Sequence, residues 1–98
     1  MDDITPRELK ERLDSGESVM VVDVREVWEY DNYNIGSVNI PLGTLPNNLD
    51  RIEEYRDKEI IMMCRTGVRS ANAKMYLEAQ GFKKVRNLLD GIVGYSEL

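Results

Sequence analysis

Two short apolar runs, VMVVDV (Val19 to Val24) and IIMMC (Ile60 to Cys64), constrain the fold more than any other feature of the sequence. Neither alternates apolar with polar residues, so each reads as a strand covered on both faces. Helical patterns separate and surround them. Thr5 caps a helix with Pro6 at its first position and Glu8 at its third, a capping box, while Ile4 and Leu9 are spaced to pack as a hydrophobic staple. That helix runs to about Asp14 and stops before Gly16. REVWEYDN predicts a short helix, GSVNIP a brief strand ended by Pro41, and LPNNLDRIEEY a helix through Leu45, Leu49 and Ile52. The strongest helical signal spans Val68 to Gln80, with Val68, Ala71, Met75 and Ala79 on one face, Lys74 and Glu78 outside, and Gly81 as terminator. KVRNL (Lys84 to Leu88) is a last short strand, and DGIVGYSEL a turn with at most a short terminal helix. Alternating strands and helices predict an α/β sheet with helices on both faces, whose ligands bind beyond the carboxyl ends of the strands. Cys64 stands at such an end.

At 98 residues the chain matches one compact domain, residues 1–98, without repeats or linkers. Its net charge of -5 argues against nucleic acid as a general partner. No apolar run approaches the roughly 20 residues of a membrane span, and the acidic start MDDITP lacks the pattern of a secretory signal. A cytoplasmic protein with no membrane contact is the expectation. One cysteine cannot form an internal disulfide, and with no histidine a cysteine and histidine zinc site within one copy is excluded. The same absence removes every nucleophile activated by an imidazole base.

Thiol chemistry here therefore needs a thiolate stabilised in another way. A strand ending at Cys64 and a helix starting near Val68 leave a tight turn, Arg65, Thr66 and Gly67, whose amides can point at the sulfur. Gly67 permits positive backbone angles, the helix start adds about half a positive charge, and Arg65 and Arg69 add two full ones. Such surroundings lower a cysteine pKa by ~1 to 5 units. A buried structural cysteine is the alternative, but Arg, Thr, Gly, Val, Arg and Ser following it describe a loop shaped for an anion.

CRTGVRS (Cys64 to Ser70), DVRE (Asp23 to Glu26), IGSVNIP (Ile35 to Pro41) and GFKKVRNLLDGI (Gly81 to Ile92), in that company, resemble a single-domain rhodanese, a thiosulfate sulfurtransferase-like domain. The resemblance spans nearly the whole chain. It departs from the family at Tyr33-Asn34, where Gly-His often stands, and at Asp90-Gly91-Ile92 and Tyr95, where Gly-Gly-Ile and Trp are common. It implies a three-layer domain with a central, mostly parallel sheet of about five short strands. It also implies a ping-pong sulfurtransferase without metal or cofactor. Cys64 would take the outer sulfur of thiosulfate, release sulfite, and pass the persulfide sulfur to cyanide, a thiol or a protein acceptor. The amides of Arg65, Thr66, Gly67, Val68, Arg69 and Ser70 would hold that sulfur, with Arg65 and Arg69 attracting the anionic donor unless they are solvated or paired. Asp23 and Arg25 either support the loop or form a structural ion pair. Trp28, Tyr30 and Tyr33 either rim the site or simply pack, and Met62 and Met63 read as core.

Three rivals remain. A cysteine phosphatase or arsenate reductase also sets a thiolate and an arginine before a helix, but with five intervening residues, where this chain has four. A non-enzymatic binding module on the same fold often lacks the cysteine. A persulfide relay from a protein donor would use the same chemistry with little thiosulfate activity.

Overall fold

The computed structural model describes residues 1–98. Its first helix, α1 (Pro6–Asp14), is capped as predicted: the Thr5 hydroxyl accepts the Glu8 amide at 3.2 Å. Ile4 and Leu9 are fully buried in one apolar cluster. The capping box is only half made. The Glu8 carboxylate accepts from Arg86 at 3.2 Å instead, because the Arg86 guanidinium is nearly buried and needs acidic partners there and at Glu59.

Four strands, β1 (Val21–Asp23), β2 (Val38–Asn39), β3 (Glu59–Met63) and β4 (Lys84–Asn87), form one wholly parallel sheet in the order β2-β1-β3-β4. Val22 faces Val38 on one side and Met62 on the other, and Asp23 is level with Met63. The expected fifth strand shrinks to a single parallel bridge between Ile4 and Leu88, because Pro6 turns the chain into α1 two residues later.

Both faces of the central strands are covered, as their unalternating sequence requires. Val22, Ile60, Met62 and Cys64 point to one side, where they meet Ile40, Leu45, Ile52, Ala73 and Leu77. Val21, Ile61 and Met63 point to the other, against Leu9 of α1 and Ile92 of α4 (Gly91–Ser96). Met62 and Met63 are core on opposite faces. The segment after β2 is not one α-helix but two 3₁₀ helices, Leu42–Asn47 and Leu49–Tyr55, with Pro46 inside the first removing an amide from the ladder. Leu45 and Ile52 still face the core.

Helix α3 (Val68–Ala79) presents a different face from the one predicted. Ser70, Ala73 and Leu77 are buried, whereas Val68 and Met75 are 70% and 67% exposed. The small inward residues let the helix lie close to the sheet, and the inward polar residue, Ser70, has partners in the site. Lys74 is also not simply solvent-facing: its ammonium bonds Asp3 at 2.7 Å and the Met1 carbonyl at 2.8 Å. No helix is long and apolar enough to cross a membrane.

The helix face makes a direct prediction. Leu77→Ala should lower unfolding free energy by about 2 to 5 kcal/mol, while Met75→Ala stays within about 0.5 kcal/mol of the parent. Urea denaturation of the two variants checks this, and equal losses would place the buried face wrongly.

Candidate active site

All four parallel strands deliver their carboxyl ends to the same edge, and there the chain turns from β3 into α3 around Cys64. The cysteine is only 1% exposed. Its sulfur accepts the Gly67 amide at 3.1 Å and the Ser70 hydroxyl at 3.3 Å. Gly67 has φ 105°, the left-handed conformation that aims its amide back at the sulfur and that a side chain would strain. Burial pushes the thiol pKa up. The Ser70 hydroxyl, followed by the amides of Ser70, Gly67 and Thr66, pushes it down and outweighs burial, so Cys64 sits below the ordinary cysteine value.

The loop's own carbonyls are satisfied from behind. At the start of α4 the amides of Ile92 and Val93 donate to the carbonyls of Cys64 at 2.9 Å and Arg65 at 3.1 Å. This approach requires Gly91: a Cβ there would overlap the Arg65 carbonyl and lie 2.6 Å from that of Cys64. Asn87, at the end of β4, places its Oδ1 2.5 Å from the Ser70 hydroxyl, whose one proton is shared between that oxygen and the sulfur, and donates to the Gly67 carbonyl at 3.1 Å. It thereby orients the hydroxyl that touches the sulfur. Neither Asn87 nor Gly91 stood out as a site residue in the sequence, because only the β4 crossover brings them to Cys64.

The arginines divide into three situations. Arg69 is held by Glu29 of α2 (Val27–Asn32) through two bonds of 2.6 and 3.0 Å. That pairing lowers the Glu29 pKa to about 2, with the Glu26 amide adding to it, and raises that of Arg69. Arg25 is buried against fully buried Asp23 at 2.7 Å and also donates to the Glu29 and Tyr33 carbonyls. The Asp23–Arg25 pair thus fastens α2 to the sheet edge and makes no side-chain hydrogen bond to the cysteine loop. Arg65 is exposed and, unlike the other two, makes no ion pair. Thr66 and Val68 are exposed on the loop's outer side.

A cleft of about 400 Å³ opens beside the loop, lined by Arg25, Arg65, Glu29 and Val93 together with two exposed aromatics, Trp28 (71%) and Tyr33 (51%). These two aromatics line the cleft rather than pack in the core. Tyr30 is half-buried, its hydroxyl donating to the Ser37 carbonyl.

A family model described as "Rhodanese-like domain" matches residues 5–98. The chain belongs to the rhodanese-like domain family. YtwF of Bacillus subtilis, provisionally named a sulfurtransferase, is 35% identical over 95% of this chain and 88% of its own. YrkF of the same organism, provisionally named a sulfur carrier protein, is 38% identical over 92% of this chain, which spans only 48% of YrkF. Among solved structures, a rhodanese-like domain protein from Staphylococcus aureus superposes with a TM-score of 0.86 at 34% identity, covering 97% of this chain and 91% of that one.

Two of this rhodanese-like domain's departures from the family pattern have local explanations. Tyr33 stands at the cleft mouth and offers its carbonyl to Arg25, while Asn34 accepts the Gly36 amide at 2.8 Å and closes the turn into β2. Asp90 takes a left-handed conformation, φ 61°, that sets Gly91 against the loop.

Two measurements follow. The thiolate exists above the folded pKa of Cys64, so its alkylation rate should reach its plateau at a lower pH than that of an ordinary cysteine with pKa near ~8.5. The rate should fall only as pH drops through the lowered value, and Ser70→Ala should move the midpoint upward. A midpoint at the ordinary value in both proteins would contradict the geometry. Gly91→Ala should cost about 1 to 3 kcal/mol by forced overlap with the loop, and should perturb Cys64 alkylation although residue 91 does not touch the sulfur. Urea denaturation with the same alkylation assay reads both effects.

Proposed function

We propose that this chain is a sulfurtransferase that carries a sulfane sulfur on Cys64. The observation that carries the reading is the convergence of the Ser70 hydroxyl and the loop amides on one thiol whose pKa they lower. The names of YtwF and YrkF point the same way.

With thiosulfate as donor, the Cys64 thiolate attacks the outer sulfur. A sulfur–sulfur bond forms to Cys64, the sulfur–sulfur bond of thiosulfate breaks, and its electron pair leaves with sulfite. A nucleophilic acceptor, cyanide or a thiolate, then attacks the terminal persulfide sulfur, and Cys64 departs as the thiolate it began as. No step requires a general acid, because sulfite leaves as a stable anion and the thiolate is already held by hydrogen-bond donors. The amides of the loop from Arg65 to Ser70 would stabilise the terminal sulfur, and Arg65 would meet an incoming anion. Asp23 and Arg25 support the arrangement at one remove, by fixing α2 and with it Glu29.

Four residues, Arg65 to Val68, separate Cys64 from Arg69, one fewer than in phosphatase loops, and Arg69 is engaged by Glu29. Both features favour a sulfur atom over a phosphoryl group. A relay between protein thiols is the second reading, and the exposed Trp28 and Tyr33 beside the loop favour it.

Intact-mass spectrometry tests the proposal. After thiosulfate, the parent should gain one sulfur atom and Cys64→Ala none, and cyanide should remove the gain as thiocyanate. If thiosulfate fails but a cysteine desulfurase loads Cys64, the relay is the function. If no donor loads it, sulfur transfer is wrong, and Cys64-dependent phosphate ester turnover would establish the phosphatase reading.

A further inference from the structure

The charges around the cysteine cancel in pairs more than their residue types imply. Arg25 is neutralised by Asp23 at 2.7 Å, and Arg69 by Glu29 through two bonds. Of these three arginines Arg65 alone makes no ion pair, and the unpaired Glu97 lines the same cleft. The Glu29 side chain is 12% exposed and that of Arg69 35%, so the pair is partly shielded from water. Glu29 is also fixed from its own helix. It accepts the Glu26 amide at 3.0 Å in the capping box that opens α2, so swinging away would cost it that bond as well as Arg69.

We propose that Glu29 is a specificity-setting counter-ion: by occupying Arg69 it withholds a positive charge from the thiol and weakens the site's hold on small dianions such as thiosulfate relative to donors of low charge. The inference deepens the sulfur-transfer reading and rests on it for the nature of the donor, but the charge claim rests on the Arg69–Glu29 pair and not on sulfur transfer. Glu29 acts through Arg69 and is a positioning residue, not one that touches the reacting atoms. Arg69 immediately precedes Ser70, whose hydroxyl lies 3.3 Å from the sulfur, and the thiolate helps raise the Arg69 pKa, so a change in its pairing is felt at Cys64. A Glu29 that stays ionised down to about pH 2 keeps the cancellation in force at any working pH.

The test compares Cys64 alkylation by iodoacetate, an anion, and iodoacetamide, its neutral analogue, which reads local charge without requiring sulfur transfer. In Glu29→Gln, which keeps an oxygen for the Glu26 amide, the iodoacetate-to-iodoacetamide rate ratio should rise roughly three- to tenfold at low salt and relax towards the parent ratio at high salt. Glu29→Asp, which keeps the charge, should stay nearer the parent. The double variant Glu29→Gln/Arg69→Gln should return close to the parent ratio, because a silent pair has been removed. In the sulfur assay, the KM for thiosulfate should fall in Glu29→Gln by a larger factor than kcat changes. An unchanged or lower alkylation ratio in Glu29→Gln would overturn the proposal. So would a double variant well below the parent, which would mean that Arg69 attracts anions despite its partner. A parent that accepts no sulfur from any donor would defeat the sulfur-transfer reading, and the alkylation ratios would still decide whether Glu29 masks Arg69.

Discussion

Between Met63, still level with Asp23 in the sheet, and Val68, the first residue of α3, the chain reverses direction around a buried sulfur. A turn this short has polar groups that cannot all reach water, and each unpaired buried group costs about 1 to 3 kcal/mol. Their partners come from four directions: Gly67 and Ser70 for the sulfur, Asn87 for the Gly67 carbonyl, Ile92 and Val93 for the carbonyls of Cys64 and Arg65. The parallel sheet makes this possible. It places the ends of β3 and β4 side by side, so a residue leaving β4 and a helix start after it both arrive beneath the turn. Gly67 and Gly91 follow from the same requirement, one to bend the backbone and the other to let α4 approach.

Helix α2 is held quite differently from the rest of the domain. It has no buried residue, and its attachment runs through Arg25, bound to Asp23 and to two carbonyls, and through Glu29, bound to Arg69. Burying charge in this way is costly unless every lone pair and proton is matched, and Asp23 meets that condition by accepting three donors of one residue, Arg25. The consequence is geometric: a short segment carrying Trp28 and Tyr33 is fixed beside the cysteine loop without an apolar core of its own. The aromatics are thereby left for the cleft.

The parts of this arrangement legible in the sequence are those written locally. The two unalternating runs revealed buried strands, Thr5 and Pro6 the start of α1, and Cys64 with Gly67 and Ser70 the cradle. Counting apolar residues favours Val68 and Met75 as the inward face of α3, while the helix turns small Ala73, polar Ser70 and Leu77 inward. Ser70 can be buried only because Asn87 and Cys64 bond it. Pro46 explains the 3₁₀ geometry after β2, a local signal that the spacing of Leu45, Leu49 and Ile52 concealed. Asn87, Gly91 and Glu29 were illegible for a different reason: their partners lie 17 to 40 residues away or in another element, and only the tertiary arrangement pairs them.

The absence of histidine gives the division between dipoles and charges its meaning. A cationic partner resting on the thiolate would depress its pKa strongly, but nucleophilicity falls with pKa, with a Brønsted coefficient of about 0.4 to 0.5. A hydroxyl and a few amides lower the pKa against burial without supplying a full charge, so each thiolate that forms keeps more of its intrinsic nucleophilicity. They also add no ion for a substrate to displace. Two of the three arginines nearby, Arg25 and Arg69, are committed to Asp23 of β1 and Glu29 of α2 before any ligand arrives. In the proposed reaction that arrangement separates two tasks: backbone and hydroxyl dipoles keep the sulfur reactive, and the pairing of the arginines decides which donors approach it.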